Sequence, residues 1–435
     1  MTTAGFGDTL LIRDEHRYDM YDLQIEFPEP PIPRHLTFEI SERTNADGDV
    51  IQEPTPDLIV VHLSNGDGTY RDGNQEVFGE NIPSLGGASR KYDRGDFNGD
   101  GFEDFAVAWA YFPHTIEPSQ KVNAPINIFL NNGEGRFEEE LDIYVNGEAR
   151  RHPFAYRTIA ADLNNDGIDD IFSGSMGIQY RSEDYSENFI NPFPHLLLLS
   201  NADGKFEDKS NQIEDQNNGN GQLCGFAHDA SAGDPDADGD IDIFACNILN
   251  INDGKGNFTT HEFINLDWQR QNQYGNPMSS VMTDLNNDSF DDIIFWNFDN
   301  RSSWSSADEG YILLSDNSPN IENWSKIPLP VGPFGYDRNK YNHAAAGDIN
   351  NDGFMDVVVA ITRDLPYYEG AYIQVLLNNG SGELIDITES NFSEQPRSAS
   401  HHGEGNIYLR DMNLDGNLDI VHSTRDYNSC LLYTS

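Results

Sequence analysis

One nine-residue pattern, D-x-[DN]-x-D-G-x-x-D, returns six times along the chain, once with Ser for the Gly, and a loop that recurs at one register demands a fold made of repeated units. The copies are DFNGDGFED from Asp96, DLNNDGIDD from Asp162, DPDADGDID from Asp234, DLNNDSFDD from Asp284, DINNDGFMD from Asp348 and DMNLDGNLD from Asp411. Their starts lie 66, 72, 50, 64 and 63 residues apart. Each runs straight into a short apolar stretch, FAVAW, IFSG, IFAC, IIFW, VVVA or IVHS, whose β-branched and aromatic content predicts a strand.

A second motif follows most copies: a strand, an Asn-Gly or Asp-Gly turn, then usually an aromatic residue. INIFLNNGEGRF (126–137), LLLLSNADGKF (196–206), LNINDGKGNF (249–258) and VLLNNGSGEL (375–384, with Leu for the aromatic) carry it. These are hairpin signals, because the turn needs residues that accept positive φ. LIVVHLSNGDGTY (58–70) has the same hairpin ahead of the first loop, so a seventh unit is expected there. Its own loop region, TNADGDVIQ (44–52), is degenerate.

Units of roughly 50–70 residues with about four strands each are the signature of propeller blades. The expected fold is therefore all-β: a seven-bladed β-propeller with calcium-binding loops, read as one domain over residues 1–435. Residues 1–85 form a degenerate first blade and closing segment. Blades bearing the loops span 86–151, 152–224, 225–273, 274–341 and 342–401, and 402–435 form an incomplete last blade. No Pro- or Ser-rich linker divides the chain, and no stretch shows helical periodicity.

The charge narrows the partners. Lys plus Arg number 26 against 74 Asp plus Glu, a formal net charge of −48. A nucleic-acid binder needs a basic face, and docking on anionic lipid needs one too. No apolar run reaches the length of a membrane span. With 25 Phe, 19 Tyr and 5 Trp the chain is too aromatic for a disordered acidic tail. Three cysteines, Cys224, Cys246 and Cys430, allow one disulfide at most; Cys224 and Cys246 flank the third loop region and are expected to pair or sit buried. The opening residues lack a basic stretch followed by an apolar core, so no export signal is read there. The closing SCLLYTS resembles a translated adapter tail and is set aside from fold reasoning.

Alternating carboxylates and amides bring several hard oxygens to one point, which suits Ca²⁺ with its 6–8 oxygen ligands at about 2.3–2.6 Å. Positions 1, 3, 5 and 9 are the expected side-chain ligands: Asp96, Asn98, Asp100 and Asp104; Asp162, Asn164, Asp166 and Asp170; Asp234, Asp236, Asp238 and Asp242; Asp284, Asn286, Asp288 and Asp292; Asp348, Asn350, Asp352 and Asp356; Asp411, Asn413, Asp415 and Asp419. Position 7 offers a carbonyl, from Phe102, Ile168, Asp240, Phe290, Phe354 or Asn417. An EF-hand loop needs a carboxylate at position 12, where this chain has Val107, Ser173, Ala245, Phe295, Val359 and His422. The bland alternative is a metal-free Asx-rich turn, in which the clustered carboxylates would repel one another. Ser289 replaces the glycine of the fourth copy, so a weaker or strained site is expected there.

The six loops, their trailing strands and the NGxGxF-like turns resemble FG-GAP/VCBS-type repeat proteins, and hence the β-propeller of integrin α subunits, over about residues 86–425 and more loosely 40–85. The resemblance implies that about six structural calcium ions tie the blades at one face. It also implies that the opposite face carries ligand contacts. That face would receive the stretch just before each loop, making Arg90, His152, Arg157, His228, Tyr274, His343, His401 and His402 candidate ligand-binding residues. Two long insertions, 110–125 and 177–195, are expected on the same face.

The family is functionally broad, so the function expected first is a non-enzymatic, adhesion- or lectin-like propeller presenting a recognition face to carbohydrate or extracellular protein. The alternative is a polysaccharide lyase using the His, Arg and Tyr cluster for proton transfer. No catalytic residue is assigned, and no nucleophile-elbow, P-loop, zincin or dinucleotide fingerprint appears. Sites of modest calcium affinity fill at extracellular and not cytosolic levels, which points outside the cell or to its surface.

Overall fold

The computed structural model describes residues 9–14, 20–24, 38–40, 57–58, 62–64, 70–80, 84–85, 88–110, 123–153, 155–175, 178–181, 188–191, 193–214, 227–246, 248–262, 277–297, 310–316, 323–335, 338–363, 369–391, 405–411, 415–424 and 430–433. They fall into two compact units, Met1–Ser210 and Asn211–Ser435.

The first unit holds two main sheets. Sheet I is Ala88–Gly95, Asp104–Ala110, Asn123–Asn131 and Phe137–Glu139; sheet II is Ala155–Ala161, Asp170–Ser175, Leu196–Ser200 and Phe206–Asp208. The second unit holds sheet III (Ala230–Gly233, Asp242–Ala245, Ile248–Asn252, Phe258–Glu262) and sheet IV (Pro277–Thr283, Asp292–Asn297, Gly310–Leu314, Ser325–Pro328). It also holds sheet V (Asn339–Gly347, Asp356–Arg363, Glu369–Asn378, Leu384–Asp386) and sheet VI (Gly405–Arg410, Asp419–Thr424, Cys430–Tyr433). In each of these six sheets the strands lie in chain order and pair antiparallel, the meander of a propeller blade, whereas the N-terminal strands Thr9–Asp14, Met20–Gln24 and Phe38–Ile40 form a separate sheet with Thr9–Asp14 in the middle and parallel to Phe38–Ile40. Sheet VI has three strands, and its third is the Cys430–Tyr433 segment that sequence reading set aside.

The unbroken apolar runs after each loop are second strands buried on both faces. In sheet V, Val357, Val359 and Ile361 join a core with Trp296, Ile312 and Leu285 of the sheet IV region. Their neighbours Val358 and Ala360 turn the other way and pack with Ile407, Leu409 and Ile420 of sheet VI. A strand pressed between two sheets has no polar face to present, so the sequence cannot alternate there. Burying each such side chain contributes about 1.5–3 kcal/mol.

Sheet edges are covered by the chain that leaves the preceding sheet. After sheet I the segment around Tyr144 runs beside Phe206 on the last strand of sheet II, with Phe206 N donating to Ile143 O (2.7 Å) and Val145 N to Phe206 O (3.2 Å). In the second unit Ile213 lies against Phe258 in the same way.

The N-terminal hairpin expected at 58–70 is present, with His62–Ser64 paired to Tyr70–Asp72, while 44–52 lies outside the described residues. A five-residue helix, Asn74–Phe78, follows and sets Phe78 edge-on to Phe129 of sheet I. It and Thr388–Asn391 are too short to leave a periodic pattern. The insertion 177–195 contains a hairpin of its own, Ile178–Arg181 with Asn188–Asn191. Of the insertion 110–125, residues 111–122 lie outside the described residues, and Asn123–Pro125 already belong to a strand paired with Arg151–Pro153. No helix among the described residues is long and apolar enough to cross a membrane.

Candidate metal loops and the opposite sheet end

Each loop joins the first two strands of its sheet. Position 1 directly follows the first strand, and position 9 is the first residue of the second, in all six copies. The nine residues therefore span one hairpin connection, and sheet pairing fixes where they begin and end.

Within the loops one hydrogen-bond scheme recurs. The position 1 carboxylate accepts the N–H groups of positions 5 and 6: Asp96 from Asp100 (3.1 Å) and Gly101 (2.8 Å), Asp284 from Asp288 (3.1 Å) and Ser289 (2.8 Å), Asp411 from Asp415 (3.0 Å) and Gly416 (2.7 Å). Position 5 accepts from the N–H of position 7, as Asp100 does from Phe102 at 2.9 Å. The position 9 carboxylate ties three chain segments together. Asp104 takes Phe97 N (2.9 Å) on one oxygen and Asn131 N (2.7 Å), at the end of the third strand, on the other. Asp170, Asp292 and Asp356 repeat this with Leu163 and Ser200, Leu285 and Ser315, and Ile349 and Asn378.

The third loop breaks the scheme at one atom. Its position 2 is Pro235, which has no N–H, so Asp242 keeps only the bond from Asn252 N, and its Oδ2 is buried with no partner. Asp234, Asp236 and Asp242 each place an oxygen within 4.8 Å of the others. In the second loop Asn164 Oδ1, at position 3, is also buried without a partner. Both orphaned oxygens sit at positions where an ion would be bound, and buried acceptors seldom stay unpaired.

The position 9 residues are all fully buried. Burial, helped by neighbouring loop carboxylates, pushes the carboxyls of Asp104, Asp170 and Asp292 up to about 7 and that of Asp242 up to about 8; Asp356 shifts the same way. The donor set is all oxygen, matching a hard divalent cation. Asp411, Asp415 and Asp419 fall on the sixth loop as expected, while Asn413 lies outside the described residues.

Position 6 adopts positive φ throughout: 87° at Gly101, 89° at Gly167, 93° at Gly239, 88° at Gly353, 90° at Gly416 and 74° at Ser289. Ser289 thus carries the left-handed strain the others avoid. Replacing it with glycine is expected to stabilise the protein by about 1 kcal/mol. Denaturant unfolding of Ser289→Gly checks this, and no gain would mean that the loop has relaxed around serine.

At the other end of the first strands sits a feature the sequence did not reveal. A β-bulge falls six residues before the loop in sheet I (Arg90, between Ser89 and Lys91), sheet II (Tyr156, between Ala155 and Arg157), sheet IV (Met278, between Pro277 and Ser279) and sheet V (Asn342, between Tyr341 and His343). Bulges re-aim side chains and gather beside binding sites. At Asn342, Oδ1 and Nδ2 are shielded and neither has a hydrogen-bond partner.

The candidate ligand residues divide. Tyr274, His401 and His402 lie outside the described residues, and Arg90 is placed only by its backbone. His152, His228 and His343 are buried, and Arg157 is half-buried near the carboxylate of Asp93. His152 Nε2 donates to Pro194 O (2.9 Å), leaving Nδ1 to accept from the Ser173 hydroxyl (3.1 Å), which makes it a strut from the chain leaving sheet I to sheet II. His343 Nδ1 accepts from Ile407 N (3.2 Å), joining sheets V and VI.

Burial holds His152 down at about 4, and His195 and His422 down at about 3. Each folded value lies below the unfolded one, so this stability is complete above about pH 6.5 and is lost as pH falls toward 4. At saturating calcium, stability should drop by roughly 1.4 kcal/mol per pH unit for each of the three below pH 6.5. Urea titrations from pH 7.5 to 5 should show His422→Phe with a shallower slope, and an equal slope would place that histidine in contact with water.

The FG-GAP-like repeat matches residues 96–173 and 284–359, the first stretch covering loops one and two and the second loops four and five. The chain therefore carries FG-GAP-like repeats, and its sheets are blades of the β-propeller type. Among solved structures it is similar to an Agrocybe aegerita lectin that recognises non-reducing terminal N-acetylglucosamine, at 16% identity over 88% of both chains with a TM-score of 0.49. It is also similar to the exotype rhamnogalacturonan lyase YesX, at 13% identity over 100% of this chain and 74% of the other (TM-score 0.39). A third is the V. cholerae biofilm matrix protein Bap1, at 12% identity over 99% and 66% (TM-score 0.32).

Proposed function

We propose that this protein is a calcium-stabilised, seven-bladed propeller that acts outside the cell and presents the sheet ends away from its ion loops to carbohydrate or protein ligands, without catalysis. The observation that carries the calcium reading is Asp242: its Oδ2 is buried and deprived of a donor by Pro235, and a carboxylate oxygen of the same residue lies within 4.8 Å of ones from Asp234 and Asp236. A divalent cation satisfies that atom and neutralises the cluster in one step. The other five loops share its backbone scheme, so six ions are expected. The N-terminal hairpin at 62–72, added to the six loop-bearing sheets, supports a seventh blade. Each ion is structural, and its binding energy is folding energy.

The recognition reading rests on the bulges and on the Asn342 amide, whose donors and acceptor are uncommitted. An amide of this kind suits hydroxyl or peptide groups. The extracellular reading is supported by Cys246, which is disulfide-bonded, since such bonds persist in oxidising compartments. Its partner lies outside the described side chains.

A glycan array probed in calcium, run beside a turnover assay on uronate-containing polymers followed by unsaturated-product absorbance, tests the function. Binding without turnover, lost in Asn342→Ala at unchanged melting temperature, is the expected result. Turnover abolished by His343→Ala in a folded protein would replace this reading with a lyase.

A further inference from the structure

The residue at position 8 of each loop plays no part in the ion scheme, yet in two loops it reaches the neighbouring one. Asp169, in the second loop, donates its N–H to Asp96 O (3.0 Å) and accepts Asp96 N–H on Oδ2 (2.8 Å). Asp291, in the fourth loop, makes the same two bonds to Asp234 of the third, at 3.0 and 2.8 Å. Each carboxylate lies where a side chain on the preceding residue would be. A Cβ on Gly95 would stand 2.8 Å from Asp169 Oδ2, and one on Gly233 would stand 2.6 Å from Asp291 Oδ2.

Three of the other copies lack this clasp, and Glu103 at position 8 of the first loop pairs with Arg94 (3.0 Å). Position 8 is Ile241 in the third loop and Met355 in the fifth, neither able to accept a hydrogen bond. In the sixth it is Leu418, which fills the space over Gly347 with a Cδ1 2.8 Å from the would-be Cβ. Loops four and five meet through Asn287 Nδ2 and Gly353 O (3.2 Å), and loops five and six through Asn351 and Asn417 (2.7 Å), contacts made by exposed amides at the tips.

We infer that Asp169 and Asp291 couple the ion sites two by two, the first loop with the second and the third with the fourth, an inference that rests on the calcium reading above. Asp96 is both the position 1 ligand of one site and the residue whose backbone Asp169 grips. Asp169 is bonded covalently to Asp170, the position 9 ligand of the next. Fixing Asp96 on an ion therefore fixes Asp169, and with it the start of the second strand that carries Asp170. The ordering needed to fill the second site is then already done, so its ion binds more tightly. Asp169 and Asp291 are positioning residues; neither is a ligand.

Calcium-binding isotherms by titration calorimetry, with ion capacity measured by metal analysis, test the coupling. Disabling the second site with Asp162→Ala/Asp166→Ala should remove one ion and weaken another by at least about fivefold, the lower end of typical coupling between sites. Disabling the fifth with Asp348→Ala/Asp352→Ala should remove one ion and leave the remaining affinities in place. Asp169→Leu, which copies the packing of the sixth loop, should keep full capacity at saturating calcium while weakening two ions by a similar factor. Asp169→Asn retains an acceptor for Asp96 N–H and should behave close to wild type, which guards against reading misfolding as uncoupling. An Asp169→Leu isotherm identical to wild type, or loss of a single ion with no change elsewhere in the second-site variant, overturns the inference. A wild-type chain that binds no calcium is told apart by its zero capacity, and overturns the calcium reading itself.

Discussion

Chelation followed by dialysis should lower the melting temperature by roughly 10–20 °C, because each site filled at a hundredfold excess of calcium over its dissociation constant contributes about 2.7 kcal/mol and six such sites act on one fold. Metal analysis of the untreated protein should return about six calcium ions per chain, one for each nine-residue loop. Adding calcium back should restore the transition. The physical basis is the crowding of carboxylates at buried hairpin connections: without a cation, burial pushes the carboxyls of Asp104 and Asp242 up to about 7 and about 8, and loop carboxylates still face one another. Little bound metal and an unmoved transition would reduce the loops to Asx turns that satisfy their own backbone.

The second large effect is expected at position 9, apart from any ion. Asp292 accepts Leu285 N at 2.9 Å and Ser315 N at 2.8 Å from inside the fold. Asp292→Ala strands two buried N–H groups at about 1–3 kcal/mol each, so roughly 2–6 kcal/mol of stability should disappear in calcium-free buffer. Asp292→Asn keeps one acceptor oxygen and should lose about half as much. Equilibrium urea unfolding of both variants decides the matter. Equal losses in the two would mean that the carboxylate's charge matters and its two bonds do not.

The loops were legible in the sequence because a hairpin connection whose carboxylates accept its own N–H groups restricts both residue type and spacing, and six copies at one register leave little room for chance. The second strands were legible for a related reason: burial on both faces forces runs such as Val357–Val358–Val359. The clasp was not legible. Asp169 and Asp291 look like any acidic residue in an acidic chain, and their role appears only when the glycine before the neighbouring loop is seen to make room. The bulges were hidden too, since a bulge is a property of two paired strands and leaves no mark on one. The buried histidines follow the same logic. His152 and His343 stand where ligand contacts were sought, yet each closes a seam between sheets, a choice set by neighbours far away in sequence.

The chain leaving one sheet to lie along the last strand of the next has a practical consequence for dissecting the molecule. Phe206 donates to and accepts from the segment around Tyr144, so a fragment cut to begin at Ala155 would leave that strand with bare backbone groups along one side. Such an edge is a template for pairing with another copy, and single-blade fragments should self-associate when expressed alone. Fragments that start upstream, near residue 140, carry their own cover and are the ones to make when a soluble piece is wanted.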